Sequence, residues 1–379
     1  MKRFLSVLLC IVLASVSAAA GFAAPFAAET DLVSAVEAAY KGAKAHKTDG
    51  EKLLSDPKFL ANAGNTGTDW TALALARFTD AEGRLIDEDY DAYADRLEAV
   101  LDARLAEGLT ASTKYADLYR MLLTLGALGR VRSSDIAAVT AEAPVKLSRL
   151  NVMTLSYALI VGGDFGGTLP AKEWVKMLLT RRHADGGWTL TAAAPSSDPD
   201  VTAAALTALA AFRDDETVYD IGGTTLTAAA AIDAGLDRLS QMQQADGGFV
   251  SYGMKNCESV SQVIVALTSL GIDPTADARF VKNGRTPVDA LMSFCLSDGT
   301  FAHAFETDPG NPAAEAGAYN AMATDQAKLA LTALYRFLKG ETSVYDYTPV
   351  RVPQSFLAVL RRIFDLLRAV LRLTGGIIR

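Results

Sequence analysis

The chain has 379 residues, of which 50% are hydrophobic, 21% charged and 8% aromatic, with three cysteines and three histidines. This composition supplies a sizeable core and excludes a disordered, collagenous or disulfide-scaffold protein. The net charge is −8, of which Lys2 and Arg3 supply +2 and the tail after Val350 supplies +5, so the body between them carries −15 and nucleic acid is excluded as a partner.

Residues 1–24 place Lys2 and Arg3 before an apolar run from Phe4 to Leu13 and then small residues through Ala20, the layout of a secretory signal peptide. Export is therefore expected, with cleavage between Ala18 and Ala24, the alternative being an uncleaved N-terminal membrane helix, which the small residues of the second half disfavour. N-terminal lipidation is not expected, because Leu9 is too bulky before Cys10. For the exported chain, two buried thiols is the simpler reading of Cys257 and Cys295, and a disulfide between them stays open.

Apolar residues at helical spacing then predict six pairs of helices. They run Leu32–Ala45 with Thr68–Phe78, Tyr90–Leu105 with Tyr115–Leu128, and Ser134–Val145 with Asn151–Val161. The later pairs are Ala171–Arg182 with Asp200–Phe212, Thr224–Gln243 with Glu258–Leu270, and Pro287–Ser297 with Thr324–Phe337. In most pairs the first helix has a polar face, whereas the second is rich in Ala, Leu and Val around its circumference and must be buried all round. Two concentric rings satisfy that demand, and closing them removes the bare ends of an open array. The expected fold is an all-α (α/α)6 toroid of six inner and six outer helices over residues 25–348, with no sheet of consequence.

The last three pairs share a turn: Asp185-Gly186-Gly187-Trp188, Asp246-Gly247-Gly248-Phe249 and Asp298-Gly299-Thr300-Phe301. Its glycines are read as supplying unusual backbone angles and its aromatic as packing between pairs. A phosphate loop is excluded because the turn follows a helix rather than a strand. Beyond each turn, Asp200, Glu258 and Asp325 stand seven residues before Thr207, Val265 and Thr332. Asp69 fits this column approximately, and Asp117 and Asn151 fit it loosely. Helix capping by itself explains the column. The alternative is a ring of carboxylates at one mouth of the toroid, contacting a ligand together with Trp70, Tyr252, Tyr319 and Asn320. His46, His183 and His303 have no metal-ligand spacing and read as surface or helix-end residues; neither a metal nor a cofactor is expected.

The turns and the helix DPDVTAAALTAL resemble the terpenoid cyclase and protein prenyltransferase α/α-toroid superfamily over nearly the whole exported chain to about Tyr347. Within it, the chain is most similar to exported bacterial proteins with prenyltransferase/squalene-oxidase-type repeats. The resemblance of Asp198-Pro199-Asp200-Val201-Thr202-Ala203 to the class II cyclase acid motif implies Asp200 as proton donor, although Val201 replaces the last aspartate. Prenyltransferase zinc needs an Asp two residues before a Cys, where this chain has Lys255 and Ser293. Cys257-Glu258-Ser259 lacks the glycine of a complement-type thioester. Secreted vitamin B12 carriers are similar in being exported toroids, but their additional β-rich domain has no counterpart here.

Beyond Pro353, residues 354–374 form an amphipathic pattern with Phe356, Leu360, Ile363 and Leu367 on one side and Arg361, Arg368 and Arg372 on the other. Too short an apolar run to span a bilayer, it suits an anionic membrane surface, or docking on the toroid or a second copy. The sequence thus reads as an exported or cell-surface toroid that binds a small molecule or surface partner, without an assigned catalytic step. The alternatives are an isoprenoid-cyclase-like enzyme using Asp200 as general acid, and a carrier of a large ligand such as a corrinoid. A buried Asp200 with a raised pKa among aromatics favours the enzyme, and an exposed Asp200 capping its helix favours the module.

Overall fold

A helix with alanine on every face needs neighbours on every side, and the computed structural model provides them. It describes residues 29–347 except 49, 81, 111, 142–150, 165–170 and 192. The expected signal peptide and C-terminal helix lie outside the described residues. The outer helices are α1 (Glu29–Lys47), α3 (Tyr90–Ala106), α5 (Ser133–Ala141), α7 (Ala171–Thr180), α9 (Ala228–Met242) and α11 (Pro287–Met292). The inner helices are α2 (Thr66–Arg77), α4 (Tyr115–Ala127), α6 (Val152–Asp164), α8 (Pro199–Leu209), α10 (Cys257–Ser269) and α12 (Ala321–Leu338).

Each inner helix packs on the next, and α12 packs back on α2, so the inner ring is closed. Ala72, Ala158, Ala205, Ala266 and Ala330 are all fully buried, one on each of five inner helices, which allows their close approach. The outer helices α5, α7, α9 and α11 pack chiefly on the inner helix that precedes them, and α1 packs on α12. For these five the sequence pairing with the following inner helix is thereby shifted by one element, whereas α3 packs chiefly on α4, which follows it. The aspartate-glycine turn is what carries the chain from an outer helix across to the next inner position.

Two expected helices are shorter than their patterns. Thr224 lies in a hairpin, Tyr219–Ile221 with Thr224–Leu226, and α9 starts only after the Thr227 cap. Gly222 and Gly223, both at positive φ, form the turn of that hairpin and interrupt the helical spacing. α11 ends at Met292 instead of Ser297, because Cys295 pairs with Phe301 in an isolated antiparallel bridge. A second hairpin, Val250–Ser251 with Met254–Lys255, precedes α10.

The turn aromatics Trp188, Phe249 and Phe301 are completely buried. The Trp188 amide donates to Thr202 Oγ1 at 2.9 Å and the Phe301 amide to Thr324 Oγ1 at 3.0 Å, so inner-helix threonines clamp the turns. Gly247 and Gly299 sit at φ of 87° and 85°, and a Cβ on them would lie 2.2 Å from the Thr286 carbonyl oxygen and 2.7 Å from the Ala38 backbone. The Gly299 turn therefore abuts α1 and closes the outer ring. Cys257 is buried and Cys295 half-buried, and both are free thiols. Among the described residues, no helix is long and apolar enough to cross a membrane.

Candidate active site at the mouth of the inner ring

The starts of the inner helices gather the acidic column, but these carboxylates are not the caps. Asp198 caps α8, with Oδ1 accepting from the amides of Asp200 at 2.9 Å and Val201 at 3.2 Å. Asn256 caps α10 through the Ser259 amide at 2.8 Å, Asn320 caps α12 through Ala323 at 3.0 Å, and Asn151 accepts from Thr154 at 3.0 Å. Capping of α8, α10 and α12 thus falls to residues before the column, whereas Asn151, itself in the column, accepts from the first turn of α6, and the column carboxylates are released for other contacts.

Two of them are consumed by buried ion pairs. Asp69 is fully buried; its Oδ1 accepts from Tyr93 Oη at 2.8 Å and its Oδ2 from Arg120 Nε at 3.0 Å. Asp325 accepts from Lys47 Nζ at 2.9 Å and Thr71 Oγ1 at 2.5 Å, and Lys328 Nζ lies 2.9 Å from its Oδ1. Lys328 is 1% exposed on the last inner helix, and burial lowers its ammonium to about 8 against the pull of Asp325. This cluster joins α1, α2 and α12 and pins the ring where it closes. Both arrangements tie neighbouring helices together through buried ion pairs.

Asp200 and Glu258 differ. Asp200 Oδ1 is sealed from solvent and accepts no hydrogen bond from the described groups. The residue as a whole is only half-buried, yet this carboxyl oxygen is enclosed by protein. Burial pushes this carboxyl up to about 7, the carboxylates of Asp198 and Glu258 act in the same direction, and the Ser259 hydroxyl and His303 act against it. Tyr157 on α6 shares this interior, where burial and the nearby Asp200 raise its phenol to about 12. Its ring packs against Trp70 at 5.7 Å.

His303 was not legible as a site residue, and its placement corrects the expectation of a surface histidine. It is 8% exposed, with Nδ1 2.8 Å from Glu258 Oε2 and Nε2 3.1 Å from Asp308 Oδ2. The hydrogen bond to Glu258 is the chief cause, joined by Asp308, that lifts the imidazole to about 9, so it is a cation at neutral pH. The only available signal was Asp308 five residues on, in a segment without regular structure. Among the described residues, no three His, Cys, Asp or Glu side chains group to hold a metal ion.

The remaining expected site residues are engaged elsewhere or lie on the rim. Trp70 is buried between Tyr157 and Tyr345, Tyr319 stacks on His46 at 3.9 Å, and Asn320 is spent as a cap. Tyr252 is 76% exposed on the rim, at the tip of the second hairpin. A cleft of about 500 Å³ lies against that hairpin, lined by Thr189, Ser196, Asp198, Arg238, Gln241 and Tyr252 among others. Another, of about 450 Å³, opens at the opposite end of the ring beside Ile160, Thr207, Phe337 and Tyr345.

No family model and no curated protein matches the sequence. Among solved structures, the chain is similar to a glycosidase at 13% identity and a TM-score of 0.51, over 83% of this chain and 100% of the other. A polysaccharide lyase aligns at 11% identity and a TM-score of 0.49, over 83% and 99% of the two chains. The ent-copalyl diphosphate synthase of Streptomyces platensis aligns at 17% identity and a TM-score of 0.42 over 73% of this chain, which spans only 50% of that enzyme. At such identities a likeness concerns fold and not chemistry. The chain is an all-α toroid, built as the glycosidase is built.

Proposed function

We propose that this protein is an exported acid–base catalyst in which Asp200 donates a proton to an uncharged substrate held at the N-terminal mouth of the inner ring. The observation that carries the reading is the division of roles between Asp198 and Asp200. A non-catalytic toroid needs only the cap, which Asp198 provides. Asp200 adds nothing to that cap and places an unpartnered carboxyl oxygen beside the ring interior. An unpaired, poorly solvated carboxyl costs stability, and such costs cluster at working sites.

A general acid must hold its proton near the working pH and tolerate the charge that remains after transfer. Burial supports the first requirement by raising the carboxyl to about 7. The His303 cation supports the second, because its field favours the Asp200 carboxylate. In the step itself, the carboxyl O–H bond breaks, the proton passes to a basic or nucleophilic atom of the substrate, and the electron pair stays on Asp200. The signal-peptide layout of residues 1–24 supports action outside the cytoplasm.

The test needs no substrate. Carboxyl ¹³C NMR of the aspartates in the exported chain is expected to show one resonance with a midpoint near neutrality that is missing from Asp200→Asn. If Asp200 titrates in the ordinary carboxylate range, it is ionised at working pH and the acid role is lost.

A further inference from the structure

We infer that the rim of this mouth is a saccharide-binding cleft, with Tyr252 and Phe305 as stacking platforms on the two flanks of the Asp200–Glu258 pair. The inference deepens the acid–base reading by naming the substrate class, and it shares with that reading the assumption that this mouth is the working end.

Tyr252 is held at a cost that the fold does not recover. It sits at φ 48° in the two-residue turn of the second hairpin, followed by Gly253 at φ 86°. Such turns favour asparagine or glycine, and a bulky side chain at positive φ is strained. Packing does not compensate, since the ring is 76% exposed. The hairpin is nonetheless fixed, because the hydroxyl of Ser251 donates to Asp198 Oδ2 at 2.6 Å, two residues from Asp200. Strain without packing, on a rigid mount beside an acid, points to a contact made outside the protein.

Phe305 mirrors this on the other flank, two residues beyond His303. It is 55% exposed, and one face of its ring stacks on the buried Phe294 at 6.0 Å and 13°. Gly317 presses against its edge, where a Cβ would stand 3.3 Å from the ring. The loop is anchored in turn, since the carbonyl of His303 accepts from the Cys257 amide at 2.9 Å and that of Ala304 from the Gly317 amide at 2.8 Å.

Two anchored exposed rings, one of them beside a cleft with polar side chains, suit a ligand that alternates apolar faces with hydroxyls. Arg238, Gln241 and Gln244 line the cleft beside Tyr252 and can serve such hydroxyls as donors or acceptors. The charge balance excludes an anionic headgroup. Asp198, Asp200 and Glu258 act on one another as like charges, while the nearby cations are already paired, His303 with Glu258 and Asp308 and Arg238 with Asp185 at 3.2 Å. A neutral oligosaccharide meets all of these conditions, whereas a prenyl diphosphate meets none of the electrostatic ones.

The experiment is calorimetric titration of the exported chain with cellohexaose, maltohexaose and chitohexaose, and with geranylgeranyl diphosphate as the counter-probe. At least one hexasaccharide is expected to bind wild type and Asp200→Asn alike, and to bind about tenfold or more weakly to Tyr252→Asn and to Phe305→Ala. Tyr252→Asn should melt no lower than wild type, because asparagine suits the turn better, while Tyr252→Phe should bind as wild type does. Absence of binding by all three sugars, binding indifferent to Tyr252 and Phe305, or Tyr252-dependent binding of the diphosphate would each overturn the inference. Because Asp200→Asn keeps the cleft, sugar binding and the Asp200 titration stand or fall separately.

Discussion

Asp198 Oδ1 accepts a hydrogen bond from the backbone amide of Asp200 at 2.9 Å, so one aspartate of the pair holds the helix start while the other keeps a buried carboxyl oxygen without a hydrogen bond. The two differ by a single step around the first turn of α8. Oδ2 of Asp198 is also engaged, by Ser251 of the rim hairpin. Asp198→Ala removes a cap and strands the hairpin, and is expected to cost about 1–2 kcal/mol in chemical denaturation. It should also lower the Asp200 midpoint, since Asp198 is one of the groups that raises it.

Asp200 itself opposes stability. Its carboxyl holds a proton up to about 7 in the fold, against 3.8 for an ordinary aspartate. A group raised in this way contributes fully below the lower value, and its contribution is lost as pH rises through the upper one. Wild type should therefore weaken relative to Asp200→Asn between these limits. The variant is expected to gain about 1–3 kcal/mol near pH 8 and nothing near pH 3.5, the figure allowing for the half-exposed position. A gap independent of pH would mean that Asp200 titrates alike in the folded and unfolded chain, and the raised value would be lost.

His303 should behave in the opposite sense. Glu258 and Asp308 lift its folded value to about 9 from 6.5, so the stabilisation is complete below 6.5 and lost as pH rises through 9. His303→Gln is expected to cost about 2 kcal/mol near pH 6 and little near pH 10. Urea midpoints across that range would measure it, and a flat difference would assign His303 to packing alone.

The toroid was largely legible because its signal is repeated: three aspartate-glycine turns and several alanine-rich helices all point to the same buried ring. The acidic column was legible as a column, but not the roles within it. Whether Asp198 or Asp200 caps α8 depends on the backbone angles of one residue, and hydrophobic spacing does not encode these. Lys328 left a trace, as a charge three residues after Asp325 in an otherwise apolar stretch, but Lys47, the other partner of Asp325, comes from the opposite end of the chain. His303 left almost none, because Glu258 lies 45 residues earlier and the loop between follows no period.

At the ring closure, Asp325 stands between two lysines and the consequences of mutation are unequal. Asp325→Asn leaves Lys47 and Lys328 facing each other with no carboxylate between them, two uncompensated cations in place of one, and is expected to cost about 3–5 kcal/mol. Lys328→Met removes a poorly solvated ammonium while Lys47 keeps Asp325 paired at 2.9 Å, and should cost less than about 1 kcal/mol. Thermal melts of the two variants at neutral pH would rank them, and equal losses would mean that both lysines are needed to balance the carboxylate.

Gly247 makes the last prediction, and it concerns the repeat itself. Its φ of 87° is unfavourable for alanine, and a Cβ there would stand 2.2 Å from the carbonyl oxygen of Thr286. Thr286 has little room to retreat, since it caps α11 in a capping box with Asp289. The substitution must therefore separate the turn from α11 or break that box. Gly247→Ala is expected to cost about 3 kcal/mol or more, the sum of a strained angle and an overpacked contact. Gly253, also at positive φ but with open space around it, is the control. Gly253→Ala meets only the backbone strain and should cost about 1 kcal/mol. Chemical denaturation of the two variants separates close approach from backbone angle: a similar loss in both would show that the turn needs its glycines for φ alone, and not for the seating of one repeat on the next.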